Sequence, residues 1–96
     1  DLPEANPFEY VSKIAEKIGI SGRSQRDAVN ILKKTRGTEA YKGKDPFGVA
    51  AAALYISCIQ NNEKKTQRDM AEAAGVTEVT VRNRYKSLKR QLEFYI

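Results

Sequence analysis

The sequence predicts an all-α domain of five helices, with one helix apolar on every side at the centre and a helix-turn-helix at the C-terminal end. Three observations carry this. Apolar residues recur at intervals of three and four along most of the chain, which is the spacing of one helix face. β-Branched residues rarely alternate with polar ones, and the 3 prolines stand at positions 3, 7 and 46, so nothing reads as a strand. Most of the periodic segments also begin on a residue able to cap a helix.

The first helix follows Asn6, a capping residue. Pro7 suits the first helical position, and Glu9 stands where a capping-box acid belongs. Phe8, Val11, Ile14, Ala15 and Ile18 form its apolar stripe, and Gly19 ends it. Residues 1–6 read as a tail or linker and residues 7–96 as the domain. In the second helix Ser24 is the expected cap, with Asp27 as its reciprocal partner. Ala28, Val29, Ile31 and Leu32 supply its buried side, and Gly37 and Gly43 bracket its end.

Asp45 and Pro46 open the third helix, which carries no charge from Phe47 to Ile59. A helix apolar all round belongs at the centre of a domain, wrapped by the others. Its alanines, Ala50 to Ala53, let neighbours approach closely, and Cys58 reads as a small buried hydrophobe rather than a reactive thiol. Asn61 to Lys65 make a turn. Thr66 and Asp69 repeat the capping-box spacing and start a short fourth helix ending at Ala74 and Gly75. The fifth runs from Thr77 to near the C-terminus, so the paired motif spans about residues 66–93.

The two last helices fit a helix-turn-helix in detail. Ala71 is small where the helices meet, Gly75 can take the positive φ of a tight turn, and Met70, Ala74, Val76 and Val81 are apolar where the pair packs. Arg84 departs from the pattern, and Tyr85 takes that packing position instead. A plain helical hairpin would show the same hydrophobic spacing.

Rotational phase separates the two readings. At about 100° per residue, Val81, Tyr85, Leu88, Leu92 and Tyr95 share one face of the fifth helix. Val79 falls on the opposite face among Arg82, Asn83, Lys86 and Arg90. An aliphatic side chain there suits contact with a thymine methyl, beside an arginine able to pair bidentately with guanine O6 and N7. Val79, Arg82 and Asn83 are therefore the candidate base-reading residues. Lys86 and Arg90 lie further along the helix, where phosphates are the natural target. Lys64, Lys65, Thr66 and Arg68 surround the N-terminal end of the fourth helix, whose free N–H groups and dipole favour a phosphate. Thr77 and Thr80, at the start of the fifth, complete the candidate phosphate set. The plainer alternatives are a merely solvated charged face and a Val79 that packs against another domain.

Composition sets bounds. The 17 lysines and arginines exceed the 12 aspartates and glutamates, for a net charge of +5, which favours polyanionic partners. One cysteine and no histidine leave no internal disulfide, no Cys/His zinc site and no histidine-based catalysis. No nucleophile–base pair or phosphate-cradling glycine loop appears, so an enzyme is not expected and no cofactor is called for. No apolar run approaches the ~18–20 residues of a membrane-spanning helix, so the expectation is an intracellular domain without a membrane partner. The start at Asp1 without a methionine, and the helical pattern running to Ile96, read as a piece of something longer.

Three stretches, "NPFEYVSKIAEKIGIS", "DPFGVAAAALYIS" and above all "KTQRDMAEAAGVTEVTVRNRYK", resemble the transcription factor IIB family, most closely its archaeal branch. The likeness covers the chain after Asn6 and is greatest to the second of the family's two cyclin-like repeats. It implies a five-helix cyclin-like fold in a general transcription initiation factor. It further implies binding of double-stranded promoter DNA at the B recognition element upstream of the TATA box. The implied partners are the TATA-binding protein and RNA polymerase, reached mostly through parts of the family's proteins that this chain lacks. An archaeal member would work in the cytoplasm at the nucleoid, a eukaryotic one in the nucleus. The family's base-reading valine and arginine fall on Val79 and Arg82, and its backbone-gripping basic residues correspond less closely to Lys64, Lys65 and Arg68. "KKTRGTEAYKGKD" and the polar loop "QNNEKK" are less family-like. A cyclin-like protein-interaction module and an unrelated helix-turn-helix regulator are the competing expectations.

Overall fold

A helix without charged side chains is stable in water only when its neighbours cover it. That condition organises the fold. The computed structural model describes residues 6–93, in which five α-helices and no strand occur. They are α1 (Pro7–Ile18), α2 (Gly22–Thr35), α3 (Pro46–Gln60), α4 (Gln67–Ala74) and α5 (Glu78–Glu93). α3 alone touches all four others, whereas α1 does not meet α5 and α2 does not meet α4. Four consecutive alanines, Ala50 to Ala53, point in successive directions about 100° apart and are all 0% exposed. Each allows a neighbouring helix to approach closely. Val49, Leu54, Ile56 and Cys58 extend the buried surface. The enclosure is not complete: Phe47 and Ile59, at the two ends, emerge at 36% and 52% exposure.

α1 forms where its sequence predicts, although Glu9 does not close the expected capping box: Asn6 Oδ1 is met by Phe8 N–H at 3.0 Å, and Glu9 N–H donates to the Asn6 carbonyl instead. Pro7 occupies the first turn, and Val11, Ile14 and Ala15 are buried with Phe8 and Ile18 packed beside them. The expected tail lies, save for Asn6, outside the described residues. The Asp45 carboxylate caps α3 by accepting from Phe47 N–H at 3.0 Å.

α2 requires a correction. Its cap is Ser21, not Ser24: Ser24 N–H donates to Ser21 Oγ at 3.2 Å, and the helix begins at Gly22. Ser24 is fully buried, and both serine hydroxyls donate to the Glu63 carboxylate, which also accepts from Ser21 N–H at 3.1 Å. Asp27 does not close a box with Ser24. Its carboxylate accepts from Asn61 Nδ2 at 2.7 Å, and the same amide donates to Ser24 Oγ at 3.2 Å. The polar loop after α3 thus ties the start of α2 to the end of α3. Of the buried side expected for α2, Ala28, Ile31 and Leu32 are buried and Val29 is half-buried.

Cys58 is fully buried, and burial, with the nearby Glu63 charge second, pushes its thiol up to about 11. The thiol therefore stays protonated and unreactive at neutral pH. No helix among the described residues is long and apolar enough to cross a membrane.

The hydroxyls of Ser21 and then Ser24 hold Glu63 below the ordinary glutamate range. A carboxylate lowered in the folded state stabilises the fold fully above its unfolded value, and that stability is lost as pH falls through the lowered value. Melting temperature should therefore begin to fall below about pH 4.5, the ordinary glutamate value. Glu63→Gln, which keeps one acceptor but no charge, should cost about 1–2 kcal/mol at neutral pH. Thermal melts across the acid range should show the gap between variant and native protein closing as pH falls.

Candidate nucleic-acid interface

The paired helices are set by local chemistry at their three-residue junction. Thr66 and Asp69 close a reciprocal box on α4: Asp69 N–H donates to Thr66 Oγ1 at 3.0 Å, and Thr66 N–H donates to Asp69 Oδ2 at 2.9 Å. That carboxylate is held below the ordinary aspartate range, first by Thr66 N–H and then by its hydroxyl. At the other end Gly75 takes φ 70°, left-handed backbone that glycine adopts without a Cβ penalty. Gly75 N–H and Val76 N–H both donate to the Ala71 carbonyl, so the small buried Ala71 is where the chain folds back. Thr77 then starts α5, its Oγ1 accepting from Thr80 N–H at 3.1 Å and bonding Thr80 Oγ1 at 3.0 Å.

The expected phase of α5 is observed. Val81 and Leu88 are 0% exposed, while Tyr85 and Leu92 are half-buried against the core. Tyr95 lies outside the described residues. The Tyr85 ring meets Tyr55 of α3 edge-on, with centroids 5.2 Å apart at 81°, and takes the packing position that Arg84 leaves. Arg84 is half-buried and lies sideways, its aliphatic stem over the first turn of α3.

On the opposite flank, Val79 is 51% exposed, and Arg82, Asn83, Lys86 and Arg90 are exposed with it. An exposed branched apolar side chain, a guanidinium and a carboxamide thus occupy the first two turns of a helix ringed by cations. Such a surface can read base edges with its tip and hold phosphates with its rim.

The other candidate residues are placed unequally. Lys64 is exposed, Lys65 half-buried. Arg68 is exposed and pairs with Glu72 at 3.2 Å, both side chains open to water. A pair this exposed is worth at most about 1 kcal/mol, so exchanging it for a phosphate costs little. Thr66 is exposed, but its oxygen caps α4 and its hydroxyl is already engaged with the Asp69 carboxylate, so it is a weak phosphate donor. One hydroxyl proton of Thr77 or Thr80 is used between the two, and Thr80 is half-buried, which leaves them the poorest phosphate donors of the set.

The structure adds Gly48. A Cβ at that position would stand 2.9 Å from Thr80 Cγ2, so the helix carrying the candidate residues rests on the start of α3. The only local signal was a glycine in the first turn of an otherwise alanine-rich helix.

Comparison with known proteins places the chain among relatives. A model of the family described as "Transcription factor TFIIB repeat" matches residues 1–91. The transcription initiation factor IIB of Sulfurisphaera tokodaii is 45% identical over 96 residues, covering 100% of this chain and 31% of that protein. The factor of the same name from Saccharolobus shibatae is 46% identical over 95 residues, covering 99% and 31%. That of Archaeoglobus fulgidus is 47% identical over 91 residues, covering 95% and 28%. The chain thus spans less than a third of the length of these relatives.

Exposure of Val79 has a direct consequence for stability. Val79→Ala should change the unfolding free energy by no more than about 0.5 kcal/mol. Val81→Ala, two residues on but fully buried, should cost about 2 kcal/mol. Chemical denaturation of the two variants compares them; equal losses would place Val79 under a neighbouring segment.

Proposed function

This chain belongs to the transcription factor TFIIB repeat family, and from that premise we propose that it is the DNA-reading repeat of a general transcription initiation factor. Its target is double-stranded promoter DNA at the B recognition element upstream of the TATA box. It binds there within a complex containing the TATA-binding protein, and that complex recruits RNA polymerase. Recruitment, and most of the contact with the TATA-binding protein, fall to parts of the protein beyond this chain.

The observation that carries the reading is Val79. At 51% exposure it stands on the same flank of α5 as Arg82, an aliphatic group half open to water among polar and charged neighbours. Placed in a major groove, it takes a thymine methyl out of water while Arg82 pairs with a guanine, and Asn83 meets an adenine or a phosphate. Lys64, Lys65, Arg68, Lys86 and Arg90, with weaker help from Thr66, Thr77 and Thr80, bind phosphates and fix the register. The work is recognition rather than chemistry, and no residue is assigned a catalytic role.

A second reading, a protein-interaction module, is favoured by an apolar groove lined by Ile56, Ile59, Tyr85 and Leu92. Salt separates the two. DNA binding by this surface should weaken steeply with ionic strength, with a log–log slope near −0.9 per phosphate contact. A slope near zero on a promoter duplex would favour the module.

Arg82→Ala should cost about 1–3 kcal/mol on the preferred duplex and relax base preference. Titrations with preferred and scrambled duplexes measure this, and equal losses on both would demote Arg82 to a phosphate contact. The double change of Lys64 and Lys65 to alanine should instead weaken all duplexes alike and lower the salt slope by about 2.

A further inference from the structure

In α3 four alanines follow closely on Gly48, and alanine is the better helix former by up to about 1 kcal/mol. A glycine there must repay that difference through tertiary contact. Gly48 is buried, its φ is not in the left-handed region, and the space of its missing Cβ is occupied by the methyl group of Thr80. Resting on the DNA-reading function of α5, we propose that Gly48 is a positioning residue for base recognition. The notch it leaves receives Thr80 Cγ2 and sets the height and rotation of the first turns of α5, and so the presentation of Val79 and Arg82.

Three features make the contact decisive. Thr80 lies between exposed Val79 and buried Val81, in the stretch that also carries Arg82, so a displacement of its backbone moves the reading side chains with it. Its side chain is biased against turning away, because Thr80 Oγ1 is bonded to the Thr77 hydroxyl at 3.0 Å. Rotating the methyl out of the notch breaks that bond. Further along, Leu88 is fully buried and Tyr85 is locked against Tyr55, so a push at Thr80 tilts the N-terminal turns instead of sliding the whole helix.

The magnitude is sufficient. A Cβ at Gly48 would stand 2.9 Å from the methyl, where ordinary contact begins at 3.4 Å, so the contact must open by roughly half an ångström, and the Thr77 bond that opposes turning of the methyl directs that shift toward α5. Recognition side chains have to be held to about that tolerance for productive geometry. Arg84 Cγ, 3.5 Å from the same point, is already at contact distance and offers no slack.

The test compares four forms of the whole chain: native, Gly48→Ala, Thr80→Ser and the double variant. Serine keeps the hydroxyl and removes the methyl. Amide chemical shifts of residues 78–83 are recorded without DNA, and the affinity ratio for preferred over scrambled duplex is measured separately. Gly48→Ala should move those amides and reduce the ratio roughly tenfold, within the range set by one bidentate base contact. In the Thr80→Ser background the same substitution should do little to either. Unmoved amides in Gly48→Ala, or an equal effect in both backgrounds, would overturn the proposal. If Gly48→Ala does not fold, restoration of folding in the double variant supports the notch, and a double variant equally unfolded refutes it. Equal affinity of the native chain for both duplexes would instead sink the DNA-reading function, an outcome told apart by the DNA-free shifts.

Discussion

The enclosure of α3 is the constraint on which the rest of the structure depends. A segment with no charge from Phe47 to Ile59 has no solvent-facing side to offer, so the other helices must be disposed around it. The alanines at its middle make that possible at close range. Their small side chains bring the neighbouring helices in from several directions, whereas larger ones would hold them apart. Gly48 carries the same logic to its limit at the start of α3, where a Cβ would crowd the methyl of Thr80 in α5.

The candidate interface follows from this arrangement. α5 buries Val81 and Leu88 in the core and sets Tyr85 against Tyr55 of α3, and the turn at Gly75 limits how α4 can sit beside it. What remains outward is fixed by rotation: Val79, Arg82 and Asn83 near the tip and lysine and arginine along the rim. The proposed recognition would use the side of a helix that folding leaves outward, where a single half-exposed valine is compatible with folding.

The polar contacts divide the same way. The Glu63 cluster, with Ser21, Ser24, Asn61 and Asp27, sits at the junction of α2 and the loop after α3 and holds the scaffold together. The Thr66–Asp69 box and the Thr77–Thr80 pair sit within the paired helices and shape their ends. Among the described residues few ionic contacts bind this surface to itself: Arg68 pairs with Glu72, in water. Cations left loosely partnered in this way suit a surface that meets a polyanion.

What the sequence determined by itself was whatever depends on near neighbours. The helical periodicity, the caps at Asn6, Asp45 and Thr66, the turn at Gly75 and the rotational phase of Val79 and Arg82 all arise from residues within a few positions of one another. Spacing therefore reveals them. Tertiary structure decided the contacts between distant positions. Ser24 has the spacing of a cap, yet Glu63, 39 residues further on, draws its hydroxyl into a partly buried cluster, and Ser21 does the capping. Thr80 reads as a surface hydroxyl, yet its methyl fills the space above Gly48 in another helix. In each case the competing partner is remote in the chain, and only the packing of α3 against its neighbours brings it within reach.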